Sequence, residues 1–217
     1  VKEVLQQTRI FMVLFVLYIV IAGSALLVNA KGDIEIWLNG FHTIYLDHFF
    51  YWATYLGDGF FAFAFLTSYI LFFHIRRGII ITVILLLVSG VTQILKHVVF
   101  PISPRPSVFL KDVPGLHYVP GLEIHTSNSF PSGHTTQAFC VFFLLSLYVS
   151  NKRWQYLFFT LALLTGISRV YLLQHFVIDT YVGAIIGTIG SFLLAVFFNK
   201  NNFLSTDTLN KPLISLR

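Results

Sequence analysis

Long apolar runs limit what this chain can fold into more than any other feature. Six of them, at Ile10–Val28, Phe60–Phe73, Gly78–Leu95 (or on to Phe100), Thr135–Ser150, Trp154–Leu173 and Thr180–Phe198, are separated by polar connections. A helix needs roughly 20 apolar residues to cross the hydrocarbon of a bilayer. Inside it, backbone groups must be satisfied within the segment, so each run is expected to be helical. The second, fourth and fifth runs have shorter uncharged cores, and each abuts a polar motif or Gly-rich turn that would lie at the membrane surface. Only 11% of the 217 residues are charged, against about 25% in soluble domains, and the mean hydropathy is +0.79. The expected fold is an all-α integral membrane protein, a six-transmembrane-helix bundle in one domain over residues 1–217, with 1–9 and 199–217 as cytoplasmic tails. The first run lacks a small-residue cleavage site and reads as a retained span.

Lysine and arginine orient the bundle. With the N-terminus in the cytoplasm, Lys2, Arg9, Arg76, Arg77, Lys152, Arg153, Lys200, Lys211 and Arg217 fall inside. Lys31, Lys96, Arg105, Lys111 and Arg169 fall outside, nine against five. The basic residues form no stripe, which argues against nucleic acid as a partner. A single cysteine, Cys140, allows no intramolecular disulfide and reads as a small buried hydrophobe. Two outer segments are long. Lys31–Phe50 is amphipathic and aromatic, and is expected to be an interfacial helix between the first two spans. Phe100–Phe130 is rich in Pro, Gly and Ser and repeats "VPGL", read as two similar turns.

Three polar clusters map to the outer face: "KHVVFPISPRP" with Lys96 and Arg105, "FPSGHTT" with Ser132, Gly133 and His134, and "GISRVYLLQHFVID" with Arg169, His175 and Asp179. A charge at the centre of a membrane helix costs about 2.5–3.5 kcal/mol, so these residues require a compensating environment. His175 and Asp179 are four apart and share a helical face if the helix continues through them. The carboxylate could then fix the imidazole tautomer and leave its other nitrogen as base or nucleophile. Arg169, nearly two turns earlier, could present its fork of donors to phosphate oxygens. Pro131 and Ser132 mark a helix start, whose N–H groups bind anions, with Gly133 permitting close approach. His134 is then placed for proton transfer. Lys96, Arg105 and Arg169 together suit a phosphoryl group. Taken singly, each residue has a plainer reading as an interfacial or snorkelling side chain. A two-histidine, one-carboxylate metal set of His134, His175 and Asp179 is the rival, opposed by the three cations.

The order Lys…Arg-Pro, Pro-Ser-Gly-His, then Ser-Arg, five residues, His, three residues, Asp, resembles the type-2 phosphatidic acid phosphatase superfamily, which includes membrane lipid phosphatases and soluble vanadium haloperoxidases. The resemblance runs from the third span onward. It implies that His175 is the nucleophile forming a phosphohistidine, that Asp179 orients it, and that His134 protonates the leaving group. It implies that Lys96, Arg105, Ser132, Gly133 and Arg169 hold the phosphoryl oxygens, with no metal and no cofactor. One departure stands out: eight residues separate Lys96 from Arg105, where the family usually has six.

The expected activity is metal-independent hydrolysis of a lipid phosphate or pyrophosphate at the outer face of a bacterial cytoplasmic (inner) membrane. The substrates implied are undecaprenyl pyrophosphate, lipid A phosphates, phosphatidylglycerol phosphate and phosphatidic acid. Undecaprenyl pyrophosphate is slightly favoured, or a lipid A phosphate if the source has an outer membrane. A lipid phosphotransferase using the same site and an anion transporter or channel are the alternatives.

Overall fold

In the computed structural model, residues 1–201 together with Leu209 and Leu213 are described. The rest of the tail assigned above to 199–217, including Lys211 and Arg217, lies outside the described residues. Ten α-helices follow one another among the described residues: α1 (Lys2–Gln7), α2 (Arg9–Val28), α3 (Asp33–Asn39), α4 (Ile44–Ala53), α5 (Gly59–Phe72), α6 (Ile75–Ile94), α7 (Pro106–Phe109), α8 (Gly133–Tyr148), α9 (Trp154–Tyr171) and α10 (Val177–Lys200). The six apolar runs each fall on one helix, α2, α5, α6, α8, α9 and α10. By length and composition, α2, the stretch Ile75–Val99 and α10 could each cross a membrane. A fourth crossing is available if Ile44–Gly57 and Gly59–Phe72, bent by 57° at Asp58, act as one broken span.

The centre of the bundle is α8, buried from Thr135 to Leu147 except at Gln137 and packed against α10 and α9. Small residues let α10 approach. A Cβ on Gly183 would lie 2.7 Å from the Ser132 carbonyl oxygen, and one on Gly187 2.5 Å from that of Thr136. Gly183 and Gly187 are four apart, the spacing that lets membrane helices pack backbone to backbone. On the other side, Phe11 of α2 meets Phe143 and Phe159 edge to face, with ring centroids 5.6 and 5.3 Å apart. The Gln155 side-chain oxygen accepts from the backbone N–H groups of Ile10 and Phe11, at 3.0 and 3.1 Å, and so satisfies donors in the first turn of α2. The outer flanks of α2, α5 and α6 expose Val20, Ile21, Phe60, Phe63 and Leu86. Such a belt is costly in water and fitting in lipid.

Two expectations need correction. The segment Lys31–Phe50 is not one helix: α3 ends at Asn39, with Gly40 as its cap, and α4 restarts behind Thr43, whose hydroxyl accepts from the Leu46 N–H at 3.2 Å. Nor does a helix run through His175. α9 stops at Tyr171, Leu173 takes a left-handed φ of 52°, and the Arg169 carbonyl accepts from both the Gln174 and His175 N–H groups. His175 and Asp179 therefore meet across a turn rather than along a helical face. The third run's extension toward Phe100 is present: α6 continues through a π turn, Leu95–Val99, closed by the Phe100 N–H on the Leu95 carbonyl at 2.8 Å. A π turn inserts one residue, so it takes up part of the extra length between Lys96 and Arg105. The two "VPGL" turns both rely on glycine, with φ of +77° at Gly115 and +80° at Gly121.

Because α8 and α10 touch at backbone distance, Gly187→Ala is expected to destabilise the bundle by about 1–3 kcal/mol through overpacking. Gly90→Ala in α6, where an added Cβ meets nothing within 4 Å, is expected to be neutral or to stabilise by up to about 1 kcal/mol. Thermal unfolding in detergent compares the two.

Candidate active site

The turn between α9 and α10 presents His175 from backbone, with its side chain buried. Its Nδ1 lies 3.4 Å from Asp179 Oδ2, and its Nε2 3.0 Å from Arg105 Nη1. A guanidinium can only donate, so Nε2 must be an acceptor and the imidazole proton must sit on Nδ1, facing the carboxylate. The geometry thus selects one tautomer, with the Nε2 lone pair turned to the cationic side. Burial first, and then Arg105, Arg169 and Lys96, hold the His175 imidazole well below its ordinary pKa, so it is neutral at pH 7.

Asp179 sits in the first turn of α10, where a carboxylate is favoured by the helix dipole. Its Oδ2 accepts from the Ser129 hydroxyl and from the Phe176 N–H at 2.9 Å as well as facing His175. The next backbone donor, Val177 N–H, goes to Glu35 of α3 at 2.6 Å. Lys31, beside α3, stacks its ammonium over Phe176 and Phe109, 4.2 and 4.8 Å from the ring centroids. The amphipathic segment thereby buttresses the start of α10.

Arg105 is held by the Phe100–Phe130 segment. Its Nε donates to the Ser127 carbonyl at 3.0 Å and its Nη1 also to that of Gln174. Burial pulls its guanidinium down to about 10, which leaves it charged at neutral pH. Arg169 reaches up from the last turn of α9. Nη1 donates to Thr54 Oγ1 at 2.8 Å and Nη2 to Gln174 Oε1 at 3.5 Å, while Nε is buried without a hydrogen-bond partner. Ser132 caps α8: its Oγ accepts from the Thr135 N–H at 3.4 Å, and its own N–H donates to the Asp179 carbonyl at 3.0 Å. A Cβ on Gly133 would meet nothing within 4 Å, so the helix start has open space before it. His134 is the more exposed histidine, with Nε2 3.8 Å from Asp58 Oδ2. Lys96, half-buried in the π turn, acts electrostatically on His134 and His175 as well as on Arg105 and Arg169.

All eight residues singled out by sequence thus gather around the starts of α8 and α10. His134, His175 and Asp179 are not grouped as metal ligands are, nor are any other three His, Cys, Asp or Glu among the described residues. Five partners escaped the sequence reading: Glu35, Thr54, Asp58, Ser129 and Gln174. Gln174 beside His175 and Ser129 just before Pro-Ser-Gly-His were open to notice. Glu35, Thr54 and Asp58 come from segments distant in sequence and carry no local signal. The turn holding Thr54 closes on the site because Gly57 has no side chain: a Cβ there would lie 2.4 Å from the His134 carbonyl oxygen.

The PAP2 superfamily model matches residues 77–203, more than half of the chain. Phosphatidylglycerophosphatase B of Bacillus subtilis (strain 168) is 37% identical over 87 residues, covering 36% of this chain and 43% of that protein. Bacitracin transport permease protein BcrC of Bacillus licheniformis is 36% identical over 70 residues, covering 32% and 34%. The chain therefore spans less than half the length of either relative. The crystal structure of Aquifex aeolicus LpxE superposes with a TM-score of 0.66 at 29% identity, over 76% of this chain and 94% of that one. A transmembrane PAP2 type phosphatidylglycerolphosphate phosphatase from Bacillus subtilis shares the fold, with a TM-score of 0.63 at 23% identity over 88% and 98%. The apolar helices and these membrane neighbours make this an integral membrane protein. The matched region holds every one of the eight clustered residues, from Lys96 to Asp179, and the chain belongs to the PAP2 superfamily.

Proposed function

We propose that this chain is a membrane-embedded phosphatase of lipid phosphates or pyrophosphates, working through a phosphohistidine on His175. The observation that carries this is the tautomer of His175, with Nδ1–H on Asp179 and an Nε2 lone pair among cations. A metal-free nucleophile for phosphorus needs that arrangement. In the reaction, Arg105 releases Nε2 and turns to the incoming phosphoryl oxygens, joined by Lys96, Arg169, the Ser132 hydroxyl and the Gly133 N–H. The partnerless Arg169 Nε is a donor available to such an oxygen. Nε2 forms the N–P bond as the P–O bond to the leaving group breaks, and His134 gives that oxygen its proton. Asp179 balances the imidazolium. His134 then takes a proton from water, whose oxygen attacks phosphorus. The N–P bond breaks, and phosphate leaves with His175 neutral again.

The proposed setting is one domain over residues 1–217 with six spans, both termini in the cytoplasm, and α3 and α4 at the outer interface of a bacterial inner membrane. The lipid enters sideways, its tails among aromatic helices. Phosphatidylglycerol phosphate, undecaprenyl pyrophosphate, lipid A phosphates and phosphatidic acid are the substrates to compare. The name of the Bacillus subtilis phosphatidylglycerophosphatase supports including the first. Purified protein is expected to release inorganic phosphate from at least one of them in the presence of a chelator, equal to substrate lost, and His175→Ala to release none. Release abolished by the chelator would contradict the metal-free reading. Phosphate short of substrate lost would point to transfer onto another lipid.

The pH dependence has a sign. Neutral His175 is the nucleophile and its pKa is depressed, so the acid limb of kcat/KM is expected below about pH 6.5, the ordinary imidazole value. Arg105→Gln removes one depressing cation. Its acid limb is expected at higher pH than that of the wild type, with kcat reduced by about 100-fold or more. Burial first, and then Arg169, Lys96 and Arg105, hold His134 well below its ordinary pKa as well, so its role as acid requires the bound phosphoryl group to raise it, and the alkaline limb belongs to kcat in the substrate complex. A rate rising steadily from about pH 4 to about pH 10 would contradict the assignment of roles. Imidazole 15N shifts offer a check without substrate: His175 is expected as the Nδ1–H tautomer, and Asp179→Asn to disturb it.

A further inference from the structure

A general acid set among cations needs a negative neighbour to keep its proton. Burial, Arg169, Lys96, Arg105 and His125 all oppose protonation of His134. His175 is neutral, and the Asp179 carboxylate is committed to His175, Ser129 and Phe176. Among the described residues, Asp58 is the one carboxylate in ion-pair reach of His134, with Oδ2 3.8 Å from Nε2.

The chain builds this neighbour at the bend before α5. Gly57 lies against the His134 carbonyl, where a Cβ would not fit, and this sets residue 58 beside the start of α8. Tyr55, in the same turn, bonds to Tyr51 instead. Asp58 has an extended backbone, φ −80° and ψ 145°, and caps α5. Its Oδ1 accepts from the Phe60 N–H at 2.8 Å, which holds the carboxylate in place. Oδ2 is not needed for the cap and lies on the His134 side. The two side chains are only 30% and 32% exposed, so salt screens their attraction in part and not fully. A residue serving α5 alone would need one oxygen on Phe60 and nothing from α8.

We propose that Asp58 is a positioning residue for the reaction, holding the Nε2–H of His134 so that the Nδ1–H is the proton given to the leaving group. The proposal rests on the reading of His134 as the acid. In the substrate complex, Asp58 and the phosphoryl group together favour the imidazolium. As the P–O bond breaks, the Nδ1 proton passes to the leaving oxygen. His134 becomes neutral, with its remaining proton on Nε2 toward Asp58. The Nδ1 lone pair then takes a proton from the water whose oxygen attacks phosphorus, and the imidazolium is restored. One carboxylate, Asp179, sets the tautomer of the nucleophile, and a second, Asp58, sets that of the acid.

Asp58→Asn separates the charge from the cap. Asn and Ser cap helices about as well as Asp, so the unfolding temperature is expected to change little. With inorganic phosphate present, the midpoint of the His134 15N titration is expected about 0.5–1 pH unit lower in Asp58→Asn than in wild type. The alkaline limb of kcat is expected to move down by the same interval, so that kcat above it falls about 3–10-fold. KM is expected to stay within about twofold, and the acid limb of kcat/KM, which belongs to His175, to stay where it is. A capping role alone would scale the whole profile and move neither limb. Asp58→Ser is expected to behave as Asp58→Asn does. An unmoved His134 midpoint, or an unmoved alkaline limb, overturns the proposal. Should neither variant fold, neutral His134 in the wild type decides: the Nε2–H tautomer is expected, and the Nδ1–H tautomer overturns the proposal. Phosphate release by His175→Ala would instead overturn the reading of the site itself, whatever Asp58→Asn does.

Discussion

The end of the bundle that carries His175 depends on where Asp179 holds its carboxylate. One oxygen, Oδ2, gathers the Ser129 hydroxyl, the Phe176 N–H and the His175 Nδ1, while the Asp179 carbonyl takes the Ser132 N–H. A single residue thus ties the α9–α10 turn, the segment before α8 and the start of α8 itself. Arg105 completes the arrangement from the other side of the imidazole. Remove the carboxylate, and only Arg105 is left to hold the imidazole proton on Nδ1, while the two helix starts stay joined through the Asp179 carbonyl and the glycine contacts.

This answers how so apolar a chain tolerates these charges. None of them faces lipid from mid-helix. Arg105 and His175 lie in connections, Asp179 and His134 in first turns, and Arg169 in a last turn. Each lies at an end of the bundle, where backbone carbonyls and hydroxyls supply hydrogen bonds. The bundle delivers them to one place because α8 and α10 touch at Gly183 and Gly187, and because Gly57 lets the Thr54 turn reach His134. Packing and chemistry share these contacts, so a methyl group added far from His175 can still disturb the site.

The helical runs and the eight polar residues were legible in the sequence because each has a local signature, an apolar stretch or a short motif. The turn carrying His175 was not. A buried Leu173 in the left-handed region is decided by tertiary packing, and the run Val170–Asp179 reads as continuous helix. The break of Lys31–Phe50 into α3 and α4 was hidden for a related reason. Its helices are amphipathic on both sides of Gly40, and the residues they bury, Glu35, Asn39 and Asp47, look like surface polar groups until their partners are known. Glu35 turns out to hold the start of α10. The π turn at Lys96 has no sequence signature beyond the unusual spacing to Arg105, which it partly absorbs. What escaped was the pairing of polar groups across distant segments, which no pattern along the chain records.

The central claim is that His175 Nε2 bonds to phosphorus. The most direct test is to mix protein with a 32P-labelled lipid phosphate, quench within one turnover, and locate the label by mass spectrometry. The account requires an acid-labile, base-stable phosphoryl group on His175, absent in His175→Ala and accumulating in His134→Ala if water attack needs that base. A label on another residue, or turnover with no labelled protein at any quench time, would contradict it.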